Sequence, residues 1–265
     1  MKLTKKLIAM LLCLAMCLAF AACAKYDDND VDVTEAPTEE NKTMVSAPEP
    51  EVVGAVAESD PVDPTYFNDV AFVGDSVSLK LSYYASATAK LGGAQFFTAG
   101  SLGSGNALWD VSDDSVHPYY LGVKSLVEDC VAQSGAKKVY IMLGMNDLAL
   151  YGLEDTLSNY KTLVDRIKAK SPDVWIVVQS MTPMVDTSTI LGESLNNEII
   201  KEYNERLLKL SIDNGWSFVD VASVMYDAQG VNLERSYCSD PDGLGVHFTE
   251  AGCDAWINYL YTHTP

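Results

Sequence analysis

Positively charged residues are scarce in this chain of 265 residues. There are 18 Lys and Arg against 37 Asp and Glu, so the formal net charge is −19 at neutral pH. Proteins that bind nucleic acid neutralise its phosphates with clusters of basic residues, and this chain has no such cluster. We therefore expect no nucleic-acid partner. We also expect an anionic bilayer to repel the folded domain unless a lipid holds it there.

Histidine and cysteine are also rare. The chain has three histidines: His117, His247 and His263. Of the six cysteines, two lie in the first 22 residues, and the spacing of the others matches neither a zinc site nor a disulfide framework. We expect no metal and no other cofactor. Cys238 and Cys253 flank His247, so either they form a disulfide there or, with Cys130, they are free thiols; the spacing favours free thiols.

One long run, residues 7–22, has no charged residue at all, and lysines precede it. It is short for a membrane span and predicts a signal peptide over residues 1–22. It ends in Phe20-Ala21-Ala22-Cys23, which resembles the bacterial lipobox with Phe20 in place of the usual leucine. We expect Cys23 to carry a lipid that anchors the exported protein to the extracytoplasmic face of the cell membrane. The alternative is an ordinary signal followed by a chance cysteine.

Residues 24–65 have no apolar periodicity. They contain 12 acidic residues and five prolines against two lysines. Such a segment cannot bury enough apolar surface to offset its chain entropy. We predict an acidic, disordered tether over residues 23–65 and a single folded domain over residues 66–265.

Within that domain, apolar strands alternate with amphipathic helices. The predicted strands are 69–73, 95–98, 139–143, 174–179 and 217–221. The predicted helices are 76–91, 119–133, 153–170, 195–213 and 250–261. This alternation predicts an α/β fold, a flavodoxin-like three-layer αβα sandwich around a five-stranded parallel sheet.

Residues 70–78 read Val-Ala-Phe-Val-Gly-Asp-Ser-Val-Ser, so Ser76 lies where a buried strand becomes a helix. In an open α/β sheet, ligands bind at the carboxyl ends of the strands. A helix amino terminus also offers N–H groups and partial positive charge to a developing anion. The alternative is that Asp75 or Ser76 only caps the helix.

Two further stretches carry polar residues in related places. Gly144-Met145-Asn146-Asp147 follows another predicted strand, and acidic residues precede His247 at the start of the last helix. Gly-Asp-Ser, then Gly-x-Asn-Asp, then an acid before a late histidine resembles the GDSL/SGNH hydrolase family over about residues 69–264. The resemblance implies the SGNH hydrolase fold and ester hydrolysis by a Ser-His(-Asp) site.

In that family pattern Ser76 is the nucleophile and His247 the base. A serine hydroxyl needs a base to take its proton, and histidine titrates near neutrality. The usual spacing is Asp-x-x-His, but Leu244 stands three residues before His247. We expect Asp242 to complete a catalytic triad. Asp240, or a backbone carbonyl in a Ser-His dyad, stays open.

The resemblance also implies an oxyanion hole. Its donors are expected to be the Ser76 N–H, the Asn146 side-chain amide and the Gly103 N–H, with Gly100 as the neighbouring alternative to Gly103. Asp147 and Asp75 are expected to accept backbone N–H bonds and brace these loops, or else to cap helices.

The favoured function is an extracytoplasmic serine esterase that removes an acyl group, acetyl in the first instance, from a small ester or an acylated carbohydrate. A thioesterase or lysophospholipase would use the same residues. A non-catalytic binding lipoprotein and a flavin-carrying flavodoxin-like protein are alternatives from other classes. Ser78 occupies the last glycine position of a Gly-x-Ser-x-Gly elbow, which argues against an α/β-hydrolase lipase. Three aromatic residues would either stack on a sugar or pack the core: Trp109, Tyr119 and Tyr120.

Overall fold

A five-stranded parallel sheet lies at the centre of the computed structural model, which describes residues 54–265. The strands within these residues are β1 Val70–Gly74, β2 Gln95–Thr98, β3 Tyr119–Tyr120, β4 Val123–Lys124, β5 Lys138–Met142, β6 Trp175–Gln179 and β7 Ser217–Val219. The central sheet has the order β2-β1-β5-β6-β7, and all its neighbours pair in parallel. The predicted α/β fold is confirmed.

Five helices lie between and after these strands. They are α1 Ser76–Thr88, α2 Val127–Ser134, α3 Leu148–Lys170, α4 Asn197–Asn214 and α5 Glu250–Thr262. Because β1 is flanked by β2 on one side and β5 on the other, the chain reverses its winding direction between β1 and β5. Loops after these strands diverge there and leave a crevice, which is where ligands bind in such sheets. Ser76 follows β1 and Asn146 follows β5, so both residues lie beside this crevice.

The strands are apolar on both faces because helices cover both. All five residues of β1 are buried. Phe72 of β1 contacts Phe96 of β2 and Tyr140 of β5, with ring centroids 5.0 and 5.2 Å apart. Removing a buried aromatic of this kind typically costs about 3–5 kcal/mol of stability. The loops that follow these strands are therefore attached to a closely packed sheet.

Two helix starts differ from the prediction. Residues 119–124 form a β3–β4 hairpin, and α2 begins only at Val127. Leu121 and Gly122 occupy the turn with φ of 49° and 81°. Two-residue hairpin turns of this kind need positive φ at both positions, and Asn-Gly is the sequence that usually indicates them. Because leucine rarely adopts positive φ, the sequence did not indicate a turn at this position. Helix α3 begins at Leu148, before the predicted start at residue 153. Gly152, with φ 73° and ψ 175°, is not helical, so the chain has a short helical piece before this kink and the predicted helix directly after it.

The folded domain also begins earlier than residue 66. The N–H groups of Val56, Ser59 and Val62 donate to carbonyls of Phe218, Thr262 and Tyr261, at 2.8, 2.7 and 2.9 Å. These backbone bonds join the end of the predicted tether to β7 and the end of α5, and acidic composition does not reveal them. The predicted signal peptide, Cys23 and the tether up to residue 53 lie outside the described residues.

Cys130, Cys238 and Cys253 are free and buried, so the disulfide alternative is not realised. Across residues 54–265, no helix is long and apolar enough to span a bilayer. The same part of the chain contains no group of three or more side chains placed to hold a metal ion.

Candidate active site

Three side chains from two distant parts of the chain form one line of hydrogen bonds. Ser76 Oγ, at the first position of α1, lies 2.9 Å from His247 Nε2. The other ring nitrogen, Nδ1, lies 2.7 Å from Asp240 Oδ2. A hydroxyl, an imidazole and a carboxylate in this order can activate the serine as a nucleophile.

The prediction that Asp242 orients the histidine is wrong. Asp242 Oδ1 instead accepts a hydrogen bond from Arg235 at 2.8 Å, and its side chain is 85% exposed. Asp240, one of the alternatives left open, occupies the place beside His247. The dyad with a backbone carbonyl at Nδ1 is not observed, since a carboxylate fills that position.

A tight turn explains how an acid seven residues before the histidine reaches it. The N–H groups of Gly243 and Gly245 both donate to the Asp240 carbonyl, at 2.9 and 3.1 Å. Gly245 has φ +69°, and an added Cβ would lie 2.5 Å from Val185 Cγ2, so the position requires glycine. The turn loops residues 241–245 outward and returns His247 to the side of Asp240.

The segment 185–189, in the loop after β6, holds this turn from outside. Val185 N–H donates to the Gly245 carbonyl at 3.0 Å, and Thr189 N–H donates to the Gly243 carbonyl at 2.8 Å. Ser188 Oγ donates to the Leu244 carbonyl at 2.5 Å. Sequence reasoning missed this segment, and no motif in it signals the role, because the contacts are made mainly to backbone atoms.

The second oxygen of Asp240 is also fully engaged. Oδ1 accepts the N–H groups of Val246 and His247, at 3.2 and 3.1 Å, and the thiol of Cys238 at 3.3 Å. Burial alone would raise the pKa of Asp240, but the hydrogen bonds and charge of His247 and the other donors outweigh it and hold the pKa below its ordinary value. Asp240 is therefore a carboxylate at neutral pH, as its place beside an imidazole requires.

The predicted oxyanion donors lie at the same sheet edge. The Ser76 N–H is at the start of α1, where the leading N–H groups have no acceptor within the helix. Asn146 Nδ2 donates to the Leu102 carbonyl at 3.1 Å and to Asp75 Oδ2 at 3.3 Å. The Gly103 N–H, in contrast, donates to Asn106 Oδ1 at 2.8 Å, so this donor already has an acceptor in the structure. Asn106 is a residue that sequence reasoning missed.

The expectation that Asp147 braces the loop after β2 is confirmed. Its two oxygens accept the N–H groups of Ser104 and Gly105, at 2.8 and 2.9 Å. Asp75 caps α1 by accepting the Val77 N–H at 2.9 Å. Burial raises the pKa of both carboxyl groups to about 6. A Cβ added to Gly103 would lie 2.6 Å from Asp147 Oδ1, so the loop and this carboxylate pack in direct contact.

The three aromatic residues that would either stack on a sugar or pack the core have different surroundings. Tyr120 packs edge-on against Phe97, with ring centroids 5.3 Å apart, which is the packing alternative. Tyr119 is on the exposed side of the β3–β4 hairpin, and Trp109 follows a short 3₁₀ turn in the loop after β2.

Comparison with known proteins identifies the family. The model of the GDSL-like lipase/acylhydrolase family matches residues 72–255, which include Ser76, Asn146, Asp240 and His247. The chain belongs to the GDSL-like lipase/acylhydrolase family. Membership makes it an ester-hydrolysing enzyme, as the sequence motifs predicted. No match was found among curated protein sequences.

Solved structures of this family share the fold. A GDSL-like lipase from Bacteroides thetaiotaomicron has a TM-score of 0.55 and 17% identity, over 76% of this chain and 89% of that one. A candidate acylhydrolase from Bacteroides fragilis has a TM-score of 0.55 and 20% identity, over 72% and 83%. A protein from Streptococcus pneumonia described as a candidate platelet activating factor has a TM-score of 0.55 and 17% identity, over 78% and 86%. At such low identity these matches show the fold alone.

Proposed function

We propose that the protein is a serine esterase in which Ser76 is the nucleophile, His247 the general base and acid, and Asp240 the residue that orients His247. The observation that carries this proposal is the unbroken line from Asp240 Oδ2 through both nitrogens of His247 to Ser76 Oγ. Ser76 is partly exposed, so a substrate can approach its hydroxyl.

The reaction follows from the order of hydrogen-bond donors and acceptors from Ser76 through His247 to Asp240. His247 accepts the hydroxyl proton at Nε2 while Ser76 Oγ attacks the ester carbonyl and forms a tetrahedral oxyanion. When the carbonyl reforms, the bond to the alcohol breaks, and the alcohol leaves with the proton from His247. Water then attacks the acyl-enzyme by the same sequence, which releases the carboxylic acid and restores Ser76. Asp240 stabilises the imidazolium in both halves and stays ionised.

The oxyanion needs donors at the place where its charge develops. The Ser76 N–H and Asn146 Nδ2 are proposed to supply them, with Asn146 exchanging its bond to the Leu102 carbonyl for the substrate oxygen. The Gly103 N–H joins only if Asn106 Oδ1 releases it. The carboxylate of Asp147, which accepts the next two N–H groups of the loop, keeps Gly103 within reach.

We propose a small acyl ester, acetyl in the first instance, on a carbohydrate as the substrate. Family membership supports ester hydrolysis, and the predicted export signal would place the enzyme outside the cytoplasm, where acylated polysaccharides occur. A thioesterase or lysophospholipase would use the same three residues. A non-catalytic binding protein of this fold would be favoured if the acid beside the histidine were missing, and the contact of Asp240 Oδ2 with His247 Nδ1 at 2.7 Å supports the catalytic proposal instead.

A short panel tests the activity and the substrate together. Hydrolysis of p-nitrophenyl acetate should fall by several orders of magnitude in Ser76→Ala. Ser78→Ala is the matched control, because it removes a buried hydroxyl two residues away that lacks a hydrogen-bond partner in the described domain. Equal activity of both variants would contradict the proposal.

Release of acetate from acetylated oligosaccharide, compared with hydrolysis of acyl thioester and lysophospholipid, then ranks the three substrate classes.

We further propose that Cys23 is lipidated and anchors the enzyme to the extracytoplasmic face of the membrane. The support is the basic start, the uncharged run and the small residues before Cys23. Cys23→Ala should move the protein from the membrane fraction to the medium or to the unprocessed precursor. Mass spectrometry that finds an unmodified mature chain starting elsewhere would contradict this.

A further inference from the structure

Cys238 lies directly behind the acid of the proposed triad. Its side chain is buried, with 5% of its surface exposed, and Sγ lies 3.3 Å from Asp240 Oδ1. An ionised carboxylate can only accept hydrogen bonds, so the thiol must be the donor. Burial raises the pKa of the thiol to about 12, so it keeps its hydrogen at neutral pH.

The backbone around Cys238 is hydrogen-bonded to the residues around His247. Cys238 forms an antiparallel bridge with Phe248, and the next N–H, of Ser239, donates to the His247 carbonyl at 2.8 Å. The Cys238 N–H donates to the Arg235 carbonyl at 3.1 Å. The residues just before the acid are therefore tied to the residues at and just after the histidine.

We infer that Cys238 is a positioning residue of the esterase: its thiol holds the Asp240 carboxylate in the rotation that points Oδ2 at His247 Nδ1. The terminal torsion of an aspartate is broad and has no strong preference of its own. Its orientation must come from donors, and Oδ1 has three of them, two backbone N–H groups and this thiol. Of these three, the thiol is the donor that belongs to a side chain, so a substitution other than proline can remove it and leave the backbone donors in place. The inference rests on the triad proposed above.

The chain offers a matched control. Cys253, on α5, is also a free and buried thiol, with 1% exposure, and its pKa is likewise raised to about 12 by burial. Substitution there removes a comparable buried sulfur without touching Asp240. Cys238→Val removes the donor while keeping a side chain of similar size, and Cys238→Ser keeps a donor.

Steady-state kinetics on p-nitrophenyl acetate give the first readout. Cys238→Val should lower kcat by about 3- to 10-fold with KM unchanged, as for the loss of one hydrogen bond. Cys238→Ser should stay within about twofold of wild type, and Cys253→Ala should leave kcat unchanged. Equal losses in Cys238→Val and Cys253→Ala would reduce Cys238 to a packing role and overturn the inference. So would a loss in Cys238→Ser as large as in Cys238→Val.

The second readout does not need turnover. The low-field proton resonance of His247 Nδ1–H reports its bond to Asp240, and it should shift in Cys238→Val but not in Cys253→Ala. An unmoved resonance would overturn the inference. Both variants are repeated in a Ser76→Ala background, where the resonance remains measurable. Failure of the esterase proposal, seen as wild-type activity in Ser76→Ala, is thus distinguished from failure of the Cys238 inference. If Cys238→Val does not fold, Cys238→Ala replaces it in both measurements.

Discussion

Replacing one carboxylate by an amide should distinguish the role of Asp240 in catalysis from that of Asp242. In Asp240→Asn, one terminal atom becomes an NH₂ group. Three donors surround Oδ1, so they favour an oxygen there and place the NH₂ at the Oδ2 position, 2.7 Å from His247 Nδ1. Two donors then face each other unless the ring moves its hydrogen to Nε2. That tautomer points a hydrogen at Ser76 and can no longer accept the hydroxyl proton.

We therefore expect Asp240→Asn to lower kcat for p-nitrophenyl acetate by about 10²–10⁴-fold, in the range that such a tautomer error costs. Asp242→Asn makes the same chemical change two residues away. Within residues 54–265 its carboxylate pairs with the exposed Arg235, and such pairs contribute about 0–1 kcal/mol of stability, so kcat should stay near wild type. A silent Asp240→Asn, or an inactive Asp242→Asn with Asp240→Asn active, would refute this reasoning.

Two further variants test the surrounding network. Asn146→Ala should lower kcat by about 10²–10³-fold with little change in KM, as for loss of one oxyanion donor; a raised KM with unchanged kcat would show that Asn146 only binds substrate. Asp147→Asn tests the carboxyl group whose pKa burial raises to about 6. Because the folded-state pKa lies above the unfolded value, this group favours folding most below pH 4 and loses that contribution as the pH rises through 6. Relative to Asp147→Asn, the free energy of unfolding of wild type should therefore rise by up to about 3 kcal/mol between pH 7 and pH 4. Urea unfolding of both proteins at each pH measures this, and a pH-independent difference would contradict it.

The strand–helix alternation and the position of Ser76 could be predicted because they depend on local sequence, whereas His247 could be assigned only from the resemblance of the three motifs to the family. A buried strand is an apolar run, and the helix start at Ser76 is signalled by a glycine and a capping aspartate. The acid could not be predicted in the same way. Its position depends on a turn stabilised by glycine N–H groups and on the segment 185–189, which approaches only in the folded domain.

The other differences between the predicted and the observed structure likewise concern features that local sequence does not determine. The hairpin turn at Leu121 has a conformation that leucine seldom adopts, so no residue type indicated it. The bond from the Gly103 N–H to Asn106 depends on the path of the loop after β2, which has no periodic pattern. The early start of the domain, at Val56, depends on backbone hydrogen bonds to β7, and backbone groups are the same in every sequence.

Covalent labelling tests the central claim most directly. Wild-type protein is treated with a fluorophosphonate, and the adduct is located by intact mass and peptide mapping, beside Ser76→Ala, Ser78→Ala and His247→Ala. The proposed site predicts one adduct on Ser76, unchanged in Ser78→Ala, absent in Ser76→Ala and greatly slowed in His247→Ala. An adduct on another residue of the wild type, or equal labelling of Ser76→Ala, would contradict the assignment of Ser76 as the nucleophile.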